Sequence, residues 1–354
     1  MSEAVPATRP VAPQHAFPLE RLAEWMRAHV APFAGALEVA QFKGGQSNPT
    51  YLVTAGAERY VLRRKPPGKL LPSAHAVDRE YRVIRALAAS EVPVAKTFGL
   101  CEDDSVIGTT FYLMEYVPGR VFWDPRLPEL ATAERAAIHD EVNRVIAALH
   151  RVDYVAAGLG DFGRPGEYIA RQVARWSKQY RASETEKIEA MDHLIEWLPQ
   201  NIPGADETRI VHGDYRIDNV IFHPTEPRIL AVLDWELATL GHPLADFAYH
   251  CMVWRIPPGV FRGLGGIDYA ALGIPPEREY VERYCARTGR GAIAPEEWEY
   301  CIAYNLFRMA AIAQGVMARA LQGNASSAQA METGRAARPL AELAWAQVER
   351  LKHR

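Results

Sequence analysis

The 354 residues include 49% hydrophobic side chains, with 40 lysines and arginines against 43 aspartates and glutamates. That length and apolar content exclude a disordered chain and build a large core spread over two or three domains or lobes. A net charge of −3 excludes the broad basic surface that nucleic acid or an anionic membrane selects, so partners have to be read from local sites. Cys101, Cys251, Cys285 and Cys301 are scattered without a CxxC pair, which reads as buried thiols rather than a zinc ribbon or a disulfide scaffold.

In chain order, Pro6, Pro10, Pro13 and Pro18 break any helix in the first residues, which read as a loose tail over 1–18. They lack a cationic start followed by an apolar core, and a cytoplasmic protein is expected. Leu19, Leu22, Ala23, Met26 and Val30 recur at helical spacing. Leu37–Phe42 and Tyr51–Thr54 read as strands around the turn Lys43-Gly44-Gly45-Gln46-Ser47-Asn48, whose glycines allow a ligand close to the backbone but equally suit a plain hairpin. On the next strand, Tyr60–Arg64, alternation puts Val61 and Arg63 on one face, where Arg63 either lies over a ligand or belongs to a solvated basic strand end.

The segment Ala74–Ala89 is helical by its spacing, with Glu80 at the edge of the apolar stripe in need of a cation, for which Arg63 is a candidate. Strands are predicted over Val92–Leu100 and Phe111–Tyr116, and Pro118-Gly119 closes the sheet-rich part. Helices follow over Glu134–Leu149, Tyr168–Ser183, Glu186–Leu198, Glu277–Thr288, Pro295–Ala320 and Gly334–Lys352; Arg308, Gln314 and Arg319 argue against a membrane span in the longest.

Between these helices lies the densest polar stretch, Val211-His212-Gly213-Asp214-Tyr215-Arg216-Ile217-Asp218-Asn219, followed by the apolar run Ile229–Leu233 that ends in Asp234. Two acids and an amide so placed suit a metal-nucleotide site. Phosphoryl transfer asks chiefly for positioning and charge neutralisation, with one acid near the attacking hydroxyl and an acid plus an amide on Mg²⁺. Asp214, Asn219 and Asp234 can fill those places, although an Asp and an Asn in one loop also cap turns. His212 reads equally as a hydrogen-bonded core histidine. With Asp218 and His223 nearby, a metal hydrolase is the other chemical reading.

His212-Gly213-Asp214 with Asn219, then Leu233-Asp234-Trp235-Glu236, resembles the signature of the aminoglycoside phosphotransferase and choline kinase group, whose fold is similar to that of protein kinases. The resemblance implies an α+β, two-lobe architecture, with a small β-rich nucleotide-binding N-lobe over 19–117 and a larger, mainly helical catalytic and substrate-binding C-lobe over 118–354. It also implies ATP and Mg²⁺ as cofactors. Asp214 would then be the catalytic base, Arg216 would touch the transferring phosphate or pair with Asp218, and Asn219 and Asp234 would hold the metal. Gly44, Gly45, Ser47 and Asn48 would form a reduced phosphate loop, Glu80 the helix acid, and Val61 and Met114 the walls of the base pocket. The Glu115 carbonyl and the Val117 amide would pair with adenine, and Asp246 would brace the loop.

One departure concerns the usual third-strand lysine, whose place Arg63 takes, with Lys65 two residues on. The run Phe222-His223-Pro224-Thr225-Glu226-Pro227 and Thr239-Leu240-Gly241-His242-Pro243-Leu244 resembles the kinase-like domain fused to acyl-CoA dehydrogenases in animals. That implies a small-molecule alcohol acceptor such as a hydroxy fatty acid or hydroxyacyl-CoA. An aminoglycoside phosphotransferase and a nucleotide-binding pseudokinase scaffold are the alternatives.

Overall fold

The computed structural model describes residues 8–30, 33, 35–43, 48–66, 76–204, 206–322 and 328–352. Six strands, β1 (Thr8–Pro10), β2 (Leu37–Phe42), β3 (Thr50–Ala55), β4 (Glu58–Arg64), β5 (Thr97–Cys101) and β6 (Phe111–Glu115), form an antiparallel sheet in the order β1-β2-β3-β4-β6-β5. With them come helices α1 (Leu19–His29), α2 (Val77–Leu87) and α3 (Asp104–Ile107). Strand alternation divides the sheet's side chains between two faces. Tyr51, Val53, Leu62 and Leu113 bury themselves with Leu22 and Met26 of α1. On the other face the register aligns Thr50, Arg63 and Tyr112 in one row and Leu52, Val61 and Met114 in the next.

Two sequence expectations change here. Residues 8–18, expected as a loose tail, are anchored: β1 pairs with β2, Phe17 meets Tyr51 edge-on, and Arg64 donates to the His15 carbonyl at 2.8 Å. Apolar Phe17 and the extended backbone that proline favours make this possible. The strand expected over Val92–Leu100 begins only at Thr97, because Pro93 has no N–H to give a ladder.

The chain continues through α4 (Thr132–Arg151), α5 (Tyr168–Ala182), α6 (Glu189–Trp197), β7 (Arg209–Val211), β8 (Val220–Phe222), β9 (Ile229–Val232) and β10 (Thr239–Gly241). Helices α7 (Pro243–Cys251), α8 (Tyr269–Leu272), α9 (Glu277–Thr288), α10 (Pro295–Leu321), α11 (Ala328–Arg335) and α12 (Ala337–Lys352) complete it. The single helix expected over Gly334–Lys352 is therefore interrupted at Ala336.

By packing, the chain divides into two units. The first joins the residues up to Val121 with Val155–Leu159 and Asp218–Ala238, and the second takes Phe122–Tyr154, Gly160–Ile217 and everything from Thr239 onward. The linear division at 117/118 thus differs from the packed one chiefly in the hairpin β8–β9, which packs with the sheet. In the second unit α10 is the core helix, surrounded by α5, α7, α11 and α12, while antiparallel β7 leads into the polar loop after it and β10 leads into α7.

Candidate active site

The first unit gathers one set of polar side chains. Arg63 leaves β4 on the face it shares with Val61, and its Nε lies 2.6 Å from Glu80 Oε2, an ion pair out of hydrogen-bond alignment. Its Nη2 donates to Asp234 Oδ1 at 2.7 Å and stands 3.9 Å from Glu236 Oε2. Glu80, in the first turn of α2, is 1% exposed. It also accepts from Asn48 Nδ2 at 2.6 Å and from the Tyr112 hydroxyl at 3.2 Å. A buried carboxylate needs such a cage, since an unpartnered one costs several kcal/mol.

Burial would pull the Arg63 guanidinium down, but Glu80, Tyr112, Asp234 and Glu236 outweigh it and keep the arginine charged. Burial pushes the Glu80 carboxyl up, against the pull of Arg63. Lys65, the alternative cation, pairs with Asp78 at 3.2 Å. Gly44, Gly45 and Ser47 lie outside the described residues.

Asp234 and Asn219 meet through the hairpin. Val220 pairs with Val232, and the Leu233 amide donates to the Asn219 carbonyl at 2.8 Å, so the two predicted metal ligands flank one end of a two-stranded ladder. Asp234 is left-handed at φ 62° and ψ 58°, a conformation rare outside glycine and found where a side chain is aimed for function. The hairpin is tied to the sheet twice. Val232 N donates to Pro93 O at 2.9 Å, and Arg120 exchanges two 2.8 Å backbone bonds with Phe222 just after the segment 115–117 expected to pair with adenine. A Cβ on Gly119 would lie 2.3 Å from Phe222 O, so only glycine fits there.

Met114 faces Val61 directly in the register, and Glu115 ends β6 with its carboxylate accepting the Lys96 amide at 2.8 Å. Val117 follows as the chain runs on toward Gly119. Asn219 and Asp234 offer one neutral and one anionic oxygen donor, a set that fits a Mg²⁺ taking few protein oxygens, and Arg63 serves Asp234 as counter-ion. His223 Nδ1 caps the turn amides of Thr225 and Glu226 at 3.3 and 3.2 Å, and among the described residues no group of three or more His, Cys, Asp and Glu comes together as a metal hydrolase would need.

The second unit frames Asp214. Asp246, in the first turn of α7, accepts the His212 and Gly213 amides at 2.8 Å each, and His150 Nε2 lies 3.2 Å from its Oδ2. Burial works against this carboxylate, but His150, His212 and the amide bond hold it below the usual range. His212 is fully buried, and its Nδ1 accepts the Asp214 amide at 3.2 Å. Gly213 turns at φ +82°.

Around the acid itself, the Tyr249 hydroxyl donates to Asp214 Oδ1 at 2.5 Å, and Arg216 Nε stands 3.4 Å from the same oxygen. Arg308 of α10 donates to the Gly213 carbonyl at 2.7 Å and lies over the Tyr249 and Trp176 rings at 4.8 and 5.6 Å. Sequence reasoning passed over Tyr249 and used Arg308 only against a membrane span. A signal existed for both, since Tyr249 follows Asp246 by three positions on one helical face and Arg308 is a lone cation amid a buried apolar run.

The phosphotransferase enzyme family model, APH, matches residues 38–296. Acyl-CoA dehydrogenase family member 10 of Mus musculus is 48% identical over 344 residues, covering 96% of this chain and 32% of that protein, so the chain spans about a third of that relative's length. The crystal structure of a proposed aminoglycoside phosphotransferase from Ralstonia eutropha JMP134 is 57% identical with a TM-score of 0.88, covering 95% of this chain and 99% of that one. A thermostable mutant of aminoglycoside phosphotransferase APH(4)-Ia, in ternary complex with ADP and hygromycin B, is 15% identical with a TM-score of 0.60 over 93% of this chain and 98% of that one, a likeness of fold. An antiparallel sheet followed by a mainly helical part is the α+β, protein-kinase-like fold expected from the motifs.

Proposed function

The chain belongs to the phosphotransferase enzyme family, ATP-dependent kinases of small molecules, and from that premise we propose that it moves the γ-phosphate of Mg-ATP to a hydroxyl of a hydroxy fatty acid or hydroxyacyl thioester. The observation that carries the proposal is the Arg63 guanidinium joining Glu80 and Asp234 at 2.6 and 2.7 Å. Charge neutralisation at a transferring phosphate calls for a cation held by the helix acid next to a metal-binding acid. Arginine meets both with two nitrogens, Nε and Nη2, of one planar group, which a lysine ammonium does not offer.

In this reading residues 19–117 form the nucleotide-binding lobe and residues 118–354 the catalytic one. Val61 and Met114 flank the adenine, the Glu115 carbonyl and the Val117 amide pair with it, and Gly44, Gly45, Ser47 and Asn48 approach the phosphates. Asn219 and Asp234 would hold Mg²⁺, which when bound would supply positive charge to the phosphate oxygens. Asn219 follows by five positions Asp214, which takes the hydroxyl proton, while Arg216 attends the transferring phosphate.

The acceptor class is supported by the likeness to the acyl-CoA dehydrogenase relative and by the cations near Asp214, since Arg216 and Arg308 suit an anionic acceptor better than a polycationic drug. An aminoglycoside acceptor is the second reading, favoured by the likeness to the Ralstonia eutropha structure. ATP consumption against hydroxy acids, hydroxyacyl-CoAs and aminoglycosides separates the two. Asp214→Asn is expected to lower turnover about 10²–10⁴-fold while nucleotide affinity holds. Parental turnover in that variant sinks the base assignment.

A further inference from the structure

We propose that Tyr249 is a positioning residue for Asp214, pinning one carboxylate oxygen so that the acid meets the acceptor in a single orientation. The inference rests on the reading of Asp214 as the base. Its ground is geometric: the Tyr249 hydroxyl donates to Asp214 Oδ1 at 2.5 Å from a side chain only 3% exposed. A tyrosine brings two rotatable bonds to that contact, and both are immobilised by packing, whereas Arg216, at 3.4 Å from the same oxygen, has a long flexible stem.

The ring is held in turn. Arg308 lies 4.8 Å from its centroid and donates to the Gly213 carbonyl at 2.7 Å, so one guanidinium fixes both the ring and the loop that carries Asp214. On the same turn of α7, Asp246 accepts the amides of His212 and Gly213. A single helical turn therefore sets the backbone of the loop through Asp246 and the side chain of the acid through Tyr249. Burial, then the charge of Asp214, pushes the phenol well above its ordinary value. It stays a neutral donor across the working range and does not compete for the proton. In the transfer the acceptor O–H proton passes to the Asp214 carboxylate. The new P–O bond forms while the bond to ADP breaks and leaves its electron pair on ADP. Tyr249 exchanges no proton.

The test is a double-mutant cycle read with Mg-ATP and water as acceptor, following ADP and phosphate. Tyr249→Phe removes one oxygen and keeps the ring, and an unchanged melting temperature would show that the fold is intact. It is expected to lower kcat about tenfold or more with KM for ATP unchanged, and to lower the residual rate of Asp214→Asn by less than about twofold, since both substitutions act through one group. An equal loss in both backgrounds would place Tyr249 elsewhere in the chemistry and overturn the proposal. So would a Tyr249→Phe single variant at the parental rate beside an inactive Asp214→Asn, an outcome that leaves the base assignment standing. An Asp214→Asn variant at the parental rate overturns the base assignment itself and the positioning role with it.

Discussion

Asp234 and Asp214 are both held in place, but by opposite means. Asp234 is gripped by a full positive charge, the Arg63 guanidinium that Glu80 also shares. The shortest contact on Asp214 is a neutral phenol, with the Arg216 guanidinium farther off at 3.4 Å, in a loop whose backbone hangs from a buried carboxylate. The difference follows from the work proposed for each. An acid that takes a metal can be stored against a cation that yields part of its hold, because phosphate and metal bring compensating charges. An acid that takes a proton needs a holder that neither leaves nor titrates. Charge contacts are strong and exchangeable, whereas a buried frame of amides and a phenol is costly to disturb.

Breaking the frame should have the larger effect. Asp246→Ala leaves the His212 and Gly213 amides and His150 without their partner, and is expected to cost about 3–5 kcal/mol of stability, read by denaturant unfolding. Loss below about 1 kcal/mol would mean that the loop does not depend on it. Acid acts next, and on the second unit, where burial holds His139 down to about 4 and His250 down to about 3. Both are lowered from about 6.5, so the unfolded chain binds protons that the folded one refuses, and stability falls as pH drops below about 6.5. The loss is about 2 kcal/mol per histidine between pH 7 and pH 5, and replacing His139 with Gln should flatten that slope in melting curves.

Breaking the charge contact should cost somewhat less stability but more nucleotide. Arg63→Met leaves Glu80 buried without its cation, for about 3 kcal/mol, with at least about a tenfold weaker ATP affinity by calorimetry. An unchanged affinity would remove Arg63 from the phosphate site. The smallest expected effect is steric: Gly119→Ala pushes a methyl group against Phe222 O and Ile221, for about 1–3 kcal/mol.

The polar motif and the helical periods were legible in the sequence because they are local. The pairing of Arg63 with Glu80 was legible as a need, a buried acid wanting a cation, and the register supplied the meeting. Strands β7, β8 and β10 are three residues each, too short to show a period. The anchoring of residues 8–18 depends on a sheet edge formed by residues far along the chain. Tyr249 and Arg308 look like core members of apolar helices, and their contacts arise only when α7 and α10 are packed beside the loop. The break at Ala336 has no local breaker beyond Gly334, which is required by its close approach to Met317.

The seat of Phe222 against Gly119 bears on how this protein can be divided. A fragment ending at Val121 would keep the sheet and lose the hairpin that carries Asn219 and Asp234, and it would bare the patch where that hairpin is clipped. The sheet with its hairpin is therefore discontinuous in sequence, the residues up to Val121 plus 218–238, and a short linker from Val121 into β8 is the splice that would make it one chain.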